Sequence, residues 1–180
     1  MPNSYRMNLI LSALLLLLAN TLVAAEGDVS MHSQFQVKRH LVLSAGMDQP
    51  SDLAIADDNR IYVLDGLQSR VVVFEGSGKV RTTFGNAGSG PGQLRLPMGI
   101  AIEDRQLYVA DSGNNRIAIF DISGRFVRNI ALKIHKGDEY LPEPVALKVV
   151  AGVITWSDRR NHRICRNDAV SGEQLNCWGK

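Results

Sequence analysis

The sequence predicts an all-β protein built from about three repeated units. The spacing Asp-x-x-x-x-Arg occurs three times, at Asp65–Arg70, Asp111–Arg116 and Asp158–Arg163. Prolines at positions 50, 97 and 142 precede these turns and lie 47 and 45 residues apart. A repeat of this length is typical of four-stranded units stacked in a ring. No segment after Glu26 has a sustained helical period, so the repeats are not expected to contain helices.

Each unit contains four short apolar runs separated by turn residues. In the second unit the runs are Ile100–Ile102, Leu107–Ala110, Ile117–Phe120 and Phe126–Ile130. Such runs, bounded by Gly, Asn, Asp and Ser, predict strands joined by tight turns, and hence one antiparallel meander per unit. A single meander cannot bury both of its faces, whereas sheets stacked around an axis can. The repeat therefore predicts a β-propeller, and the alanines in the first runs fit a crowded position beside the axis.

The second unit resembles an NHL repeat. The resemblance rests on Phe84–Leu94, Leu96–Ile102 and Leu107–Ile117. The third unit is similar over Ser157–Ile164, and the first departs from the pattern at Gly66–Ser69. This resemblance implies a propeller that is usually six-bladed when complete.

The predicted boundaries place three blades at residues 49–95, 96–140 and 141–180, after an N-terminal segment at 26–48. Three blades would form an open arc. Phe35–Leu43 resembles the fourth strand of a preceding blade, and Trp178–Lys180 aligns with the linker that starts after the first blade. We therefore expect a fragment or truncated gene product, or identical arcs that associate through their exposed blade faces.

Residues 1–25 have the pattern of a secretory signal peptide. Arg6 precedes an apolar stretch from Leu9 to Leu18, and small residues lead up to a cleavage point after Ala25. The alternative is an uncleaved anchor, the one case in which a membrane partner is expected. Either way the repeats are expected in the periplasm or outside the cell. A net charge of +2 gives no general attraction to nucleic acid, so no nucleic-acid partner is expected.

The repeated Asp-x-x-x-x-Arg turns have a structural interpretation. Turn aspartates accept backbone N–H bonds, and a nearby arginine can pair with them. A pair that recurs in every unit is more typical of structure than of catalysis. Ligand-binding residues are expected instead where basic side chains cluster at the third turn, together with the asparagines of the second. The candidates are Arg159, Arg160, His162, Arg163, Asn114 and Asn115.

The sequence offers no motif for catalysis, a metal or a cofactor, and none is assigned. The histidines lack metal-ligand spacing, and the glycine-rich stretch 85–92 leads into a strand, where a phosphate loop would open a helix. Cys165 and Cys177 fall on neighbouring predicted strands and form either a hairpin disulfide or two buried thiols. Trp156 either fills the gap between blades or lies on an exposed final face.

These features favour an exported binding or scaffold module whose rim recognises a protein, a peptide or a glycan. The alternative is a fragment of a secreted propeller enzyme, a lyase or hydrolase such as a peptide-amidating lyase, which the third unit faintly resembles. The catalytic residues of that enzyme would then lie in blades outside this sequence.

Overall fold

The computed structural model describes residues 41–179, which belong to one compact unit. The expected signal peptide and most of the strand expected at 35–43 lie outside the described residues. Within residues 41–179, no helix has the length and apolar character needed to cross a membrane.

The described residues form three four-stranded sheets, each a meander of neighbouring antiparallel strands. The first blade contains β1 (Pro50–Ile55), β2 (Ile61–Asp65), β3 (Arg70–Phe74) and β4 (Val80–Phe84). The second contains β5 (Gly99–Glu103), β6 (Gln106–Asp111), β7 (Arg116–Asp121) and β8 (Phe126–Ala131), with a short 3-10 turn at Ser112–Asn114. The third contains β9 (Pro144–Val150), β10 (Val153–Asp158), β11 (Arg163–Asp168) and β12 (Gln174–Gly179). The predicted all-β fold of repeated propeller blades is confirmed.

The strand register corrects the choice of the proline that is equivalent in the third blade. Pro50 pairs with the turn aspartate of the first blade, and Pro144, not Pro142, pairs with Asp158 in the third. The equivalent prolines 50, 97 and 144 are therefore evenly spaced. The alignment of the repeats was shifted by two residues because a second proline, Pro142, lies two residues before the first residue of β9.

The blades pack face to face through two apolar clusters. One cluster joins the first and second blades and includes Tyr62, Leu64, Leu107, Phe120 and the linker residue Leu94. A second cluster joins the second and third blades. The first strands of neighbouring blades also contact each other, β1 with β5 and β5 with β9, as expected for sheets that fan around an axis.

Where the first strand of the second blade comes closest to the first strand of the third, the small residue is a glycine and not one of the expected alanines. A Cβ atom on Gly99 of β5 would clash with the carbonyl oxygen of Val145 on β9. The expected alanine of the third blade is absent from this position, because the corrected register places Lys148 where the first two blades have Ala54 and Ala101.

Trp156 lies in the core between the second and third blades, where it is 1% exposed. Its indole Nε1 donates a 2.8 Å hydrogen bond to Oδ1 of Asn167. Of the two positions considered from the sequence, the structure therefore places this side chain between the blades. The bond satisfies the one polar group of the indole, which would otherwise be costly to bury.

The two remaining blade faces differ in character. On the first blade, Leu43, Ala45 and Met47 pack against the cluster of Val63, Val72 and Phe74. The remaining face of the third blade is the opposite one: it carries Thr155, Ser157 and Arg166 at the positions where the first blade has Tyr62, Leu64 and Val73, which pack against the second blade. On that face Ile164 and Trp178 are 44% and 51% exposed, so its apolar area is interrupted by polar side chains.

Candidate functional site

At each Asp-x-x-x-x-Arg turn the aspartate binds both the arginine of the turn and the backbone of the segment that precedes the blade. We call this buried cluster the Asp–Arg corner. In the second blade, Oδ1 of Asp111 accepts a 2.7 Å bond from the backbone N–H of Arg95, and Oδ2 accepts 2.7 Å from Nε of Arg116. The same pair of contacts occurs in the other two blades. Asp65 accepts from the backbone N–H of Asp48 and from Arg70 Nε, and Asp158 accepts from the backbone N–H of Glu143 and from Arg163 Nε.

The arginine of each corner also binds the segment that enters the blade. The guanidinium of Arg116 donates to the carbonyl oxygens of Ser89, Gly90 and Gln93, at 2.9, 3.2 and 2.7 Å. Arg70 donates in the same way to the carbonyl oxygen of Gly46, at 3.1 Å. These contacts supply hydrogen-bond partners for linker carbonyls that no strand neighbour reaches, which a folded chain requires of its buried polar groups.

The asparagines of the second turn, both candidate ligand-binding residues, are engaged inside the protein. Asn114 Nδ2 donates to Asp111 Oδ2 at 2.8 Å and to the carbonyl oxygen of Gly88 at 2.9 Å. Asn115 Nδ2 donates to the carbonyl oxygen of Pro142 at 2.8 Å. Asn115 also has a left-handed backbone, with φ of 54°, which asparagine tolerates better than most residues.

The basic residues of the third turn are paired with carboxylates. Arg159 and Arg160 both bind Glu143, with a distance of 2.9 Å from Arg160 Nε to Glu143 Oε2. Arg163 is nearly buried and bridges Asp158 and Asp138, with its Nη1 2.6 Å from Asp138 Oδ1. The cluster that looked strongly cationic in the sequence is therefore balanced by three acidic side chains.

The contacts of Asp138 change the pKa of its carboxyl group. Burial opposes ionisation of its carboxyl, but the Arg163 side chain and the backbone N–H of His135 donate to it, and the net result is a lowered pKa. The carboxylate thus stays charged and holds the loop that contains it against the third corner.

A surface pocket lies beside the third corner. Residues 137–140 and 160–162 line it, and its volume is about 420 Å³. Arg160, His162 and Tyr140 contribute exposed side chains, and His162 has a left-handed backbone with φ of 53°. The sequence identified the arginine and the histidine but missed Tyr140 and Asp138. The signal in the sequence that could have pointed to these two residues was the Gly137–Asp138 turn, which lies in the long connection between the second and third blades.

A disulfide joins Cys165 and Cys177. The two residues are direct cross-strand partners on β11 and β12, and both contact the core between the second and third blades. Within residues 41–179, no three His, Cys, Asp or Glu side chains are grouped closely enough to hold a metal ion.

Replacing both Cys165 and Cys177 with alanine should lower the free energy of unfolding by about 2–3 kcal/mol, because the bond restricts a short loop of the unfolded chain. Urea denaturation of the two proteins would measure the difference. Reducing the wild-type protein should produce a similar loss. Equal midpoints for all three samples would contradict the expectation.

The comparisons with known proteins agree with this architecture. Among solved structures, hydrazine synthase from Kuenenia stuttgartiensis has a TM-score of 0.59 at 13% identity over 80% of this chain. Virginiamycin B lyase from Staphylococcus aureus has 0.58 at 16% over 73%, and Myxococcus xanthus glutaminyl cyclase has 0.51 at 19% over 70%. The chain spans 39%, 41% and 50% of those proteins respectively. At these identities the likeness shows the fold alone.

No curated protein matches this sequence significantly. Residues 44–141, which include the first two blades and the linkers that precede them, match a family described as a 6-bladed beta-propeller. That match covers more than half of the chain, and the stacked meanders and their Asp–Arg corners have the expected architecture. The chain therefore belongs to the 6-bladed beta-propeller family.

Proposed function

We propose that this protein is an exported, NHL-type propeller module that binds a protein, a peptide or a glycan beside its third corner. The observation that carries the proposal is the pocket beside this corner, into which Arg160 and His162 contribute exposed side chains. Arg160 and His162 occupy the turn positions that hold Gly113 and Asn115 in the second blade. A binding residue has no reason to recur in each blade, whereas a structural residue does.

The chemistry of the pocket suits a polar ligand with both donors and acceptors. Arg160 is a donor whose charge is shared with Glu143, and Glu139 adds an exposed carboxylate that accepts from the hydroxyl of Tyr140. Exposed tyrosine and arginine side chains are enriched at recognition surfaces, because they combine apolar area with directional hydrogen bonds. Peptide segments and sugars both have that combination of groups.

The NHL assignment and the export of the protein are supported by separate features. The glycine-rich linker and the Asp–Arg corner that binds it account for the residues that resemble an NHL repeat. Export is supported by the leader pattern of residues 1–25 and by the Cys165–Cys177 disulfide, since disulfides persist mainly in oxidising compartments. The similar solved structures, at 13–19% identity, support the propeller fold alone.

Binding of the full-length protein to glycan and peptide arrays would test the proposal. Replacing Arg160 and His162 together with alanine should weaken the best hits about tenfold, the effect of losing roughly 1.4 kcal/mol of contact energy. Leu67→Ala changes an exposed residue at the matching position of the first corner and should leave binding of the same array components unchanged. The proposal fails if no array component binds, or if Leu67→Ala weakens binding as much as the double variant.

A further inference from the structure

Three arginines line one crevice between the first and second blades, at the end of the sheets opposite the Asp–Arg corners. The crevice has a volume of about 630 Å³ and is lined by Arg60, Arg81, Arg105, Val73, Thr82, Ile122 and Ser123. No carboxylate belongs to this lining. The three arginines come from separate elements, just before β2, within β4 and in the β5–β6 turn.

The backbone of Ile122 contacts the side chain of Arg60 and the backbone of Arg105. Its carbonyl oxygen accepts 2.9 Å from the buried hydroxyl of Tyr62 and 3.4 Å from Nη1 of Arg60. Its N–H donates 3.2 Å to the carbonyl oxygen of Arg105. The bonds from Tyr62 and Arg60 connect the first blade to the second and fix the Arg60 guanidinium, while the bond from Ile122 fixes the backbone of the β5–β6 turn that carries Arg105.

Acidic side chains lie to one side of the crevice, because Asp57, Asp58, Glu103 and Asp104 line an adjoining pocket that shares Arg105 and Ile122 with it. Asp58 pairs with Arg60, at 2.8 Å from Nε, and Glu75 pairs with Arg81 at 2.7 Å. Arg105 forms no ion pair with any residue in the described part of the chain. A guanidinium has five N–H donors, so each paired arginine also retains donors for a second acceptor.

The three arginines do not follow the repeat. At the next crevice, between the second and third blades, the corresponding positions hold Gln106, Val127 and Gly152. Both crevices need the same packing, since they join equivalent sheet faces. The arginines are therefore not required by the architecture of the blade.

The backbone at Arg105 provides a second, independent indication. Asp104 and Arg105 form the two-residue β5–β6 turn with φ of 47° and 60°, a left-handed conformation that favours glycine and asparagine. The third blade makes the corresponding turn with Ala151 and Gly152. Because the third blade forms this turn with a glycine, the turn itself does not require the arginine side chain.

We propose that Arg60, Arg81 and Arg105 form an anion site that binds the phosphate or sulfate group of a small ligand. Planar guanidinium groups match tetrahedral oxyanions and bind them with two parallel hydrogen bonds. The hydroxyl of Thr82 lines the same space as a further donor. The crevice is larger than an inorganic anion, so the charged group is carried on a larger molecule, and Val73 and Ile122 provide an apolar wall for it.

Titration of the full-length protein with sodium phosphate and with sodium sulfate, at constant ionic strength in a buffer without either anion, would test the site. The side-chain Nε–H resonances of Arg60, Arg81 and Arg105 should shift with saturation in NMR spectra. Tighter binding of phosphate would indicate that the ligand is a phosphate ester, and tighter binding of sulfate would indicate a sulfate ester. Shifts that never saturate with either anion would overturn the proposal.

Two variants separate binding from folding. Arg105→Gly restores the residue type of the equivalent turn and should weaken anion binding about tenfold, while the melting temperature stays unchanged or rises. Arg95→Gln removes the same charge from an exposed residue at the opposite end of the sheet, and the anion affinity should not change. Equal weakening by both variants would mean that only net charge attracts the anion, and the site would be rejected.

Discussion

Replacing Asp111 with alanine should lower the free energy of unfolding by about 3–5 kcal/mol, because it removes the acceptor at the centre of a buried corner. The carboxylate is fully buried and accepts from Arg95, Asn114 and Arg116. Its loss would leave the Arg116 guanidinium, whose side chain is 12% exposed, without its acidic partner. Urea denaturation followed by circular dichroism would measure the change.

Two further variants make that experiment specific. Asp57→Ala removes an exposed carboxylate from a turn of the first blade and should change stability by less than about 0.5 kcal/mol. Asp111→Asn keeps one oxygen acceptor but loses the charge, so its stability should fall between the wild type and Asp111→Ala. If Asp57→Ala and Asp111→Ala cost the same, the corner would not have the structural role assigned to it.

Replacing Trp156 with alanine should cost about 3–5 kcal/mol, the usual result of removing a large aromatic side chain from a packed core. The substitution would open a cavity between the second and third blades and remove the donor to Asn167 Oδ1. Thermal and urea denaturation would report the loss of stability. Near-ultraviolet circular dichroism would report the loss of an immobilised indole.

Trp178→Ala is the matched control for that substitution. It removes the same side chain from the same blade, but from a face where the residue is 51% exposed and the guanidinium carbon of Arg166 lies 6.0 Å from the ring centroid. A cost well below that of Trp156→Ala is expected, because exposed sites away from special features seldom matter much. A larger loss for Trp178→Ala would mean that this face is packed against something in solution.

The features that could be predicted from the sequence are those set by short spacings. Asp111 and Arg116 are five residues apart at the two ends of one tight turn, so their spacing already indicated a turn motif. Strand positions likewise followed from apolar runs between turn residues. The proline assigned to the third repeat was wrong because Pro142 lies two residues before Pro144, and a two-residue shift leaves the alternation of a strand unchanged.

The arginine crevice could not be found by the same reasoning. Arg60 and Arg105 are 45 residues apart, and only the stacking of two blades brings them to opposite sides of Ile122. The carboxylate that balances Arg159 and Arg160 was missed for a related reason. Glu143 belongs to the connection before β9, and its position depends on the corner contact with Asp158.

Loss of a corner arginine should destabilise the part of the chain that precedes it more than the part that follows. Each one holds the stretch of backbone that arrives from the blade before it, as Arg116 holds Ser89 to Gln93. A corner that opens therefore releases the connection upstream of it, toward the N-terminus. Neighbouring blades are therefore joined by polar contacts as well as by their shared apolar faces. A substitution at the corner of one blade should weaken its attachment to the preceding blade even when the apolar contacts between them remain intact.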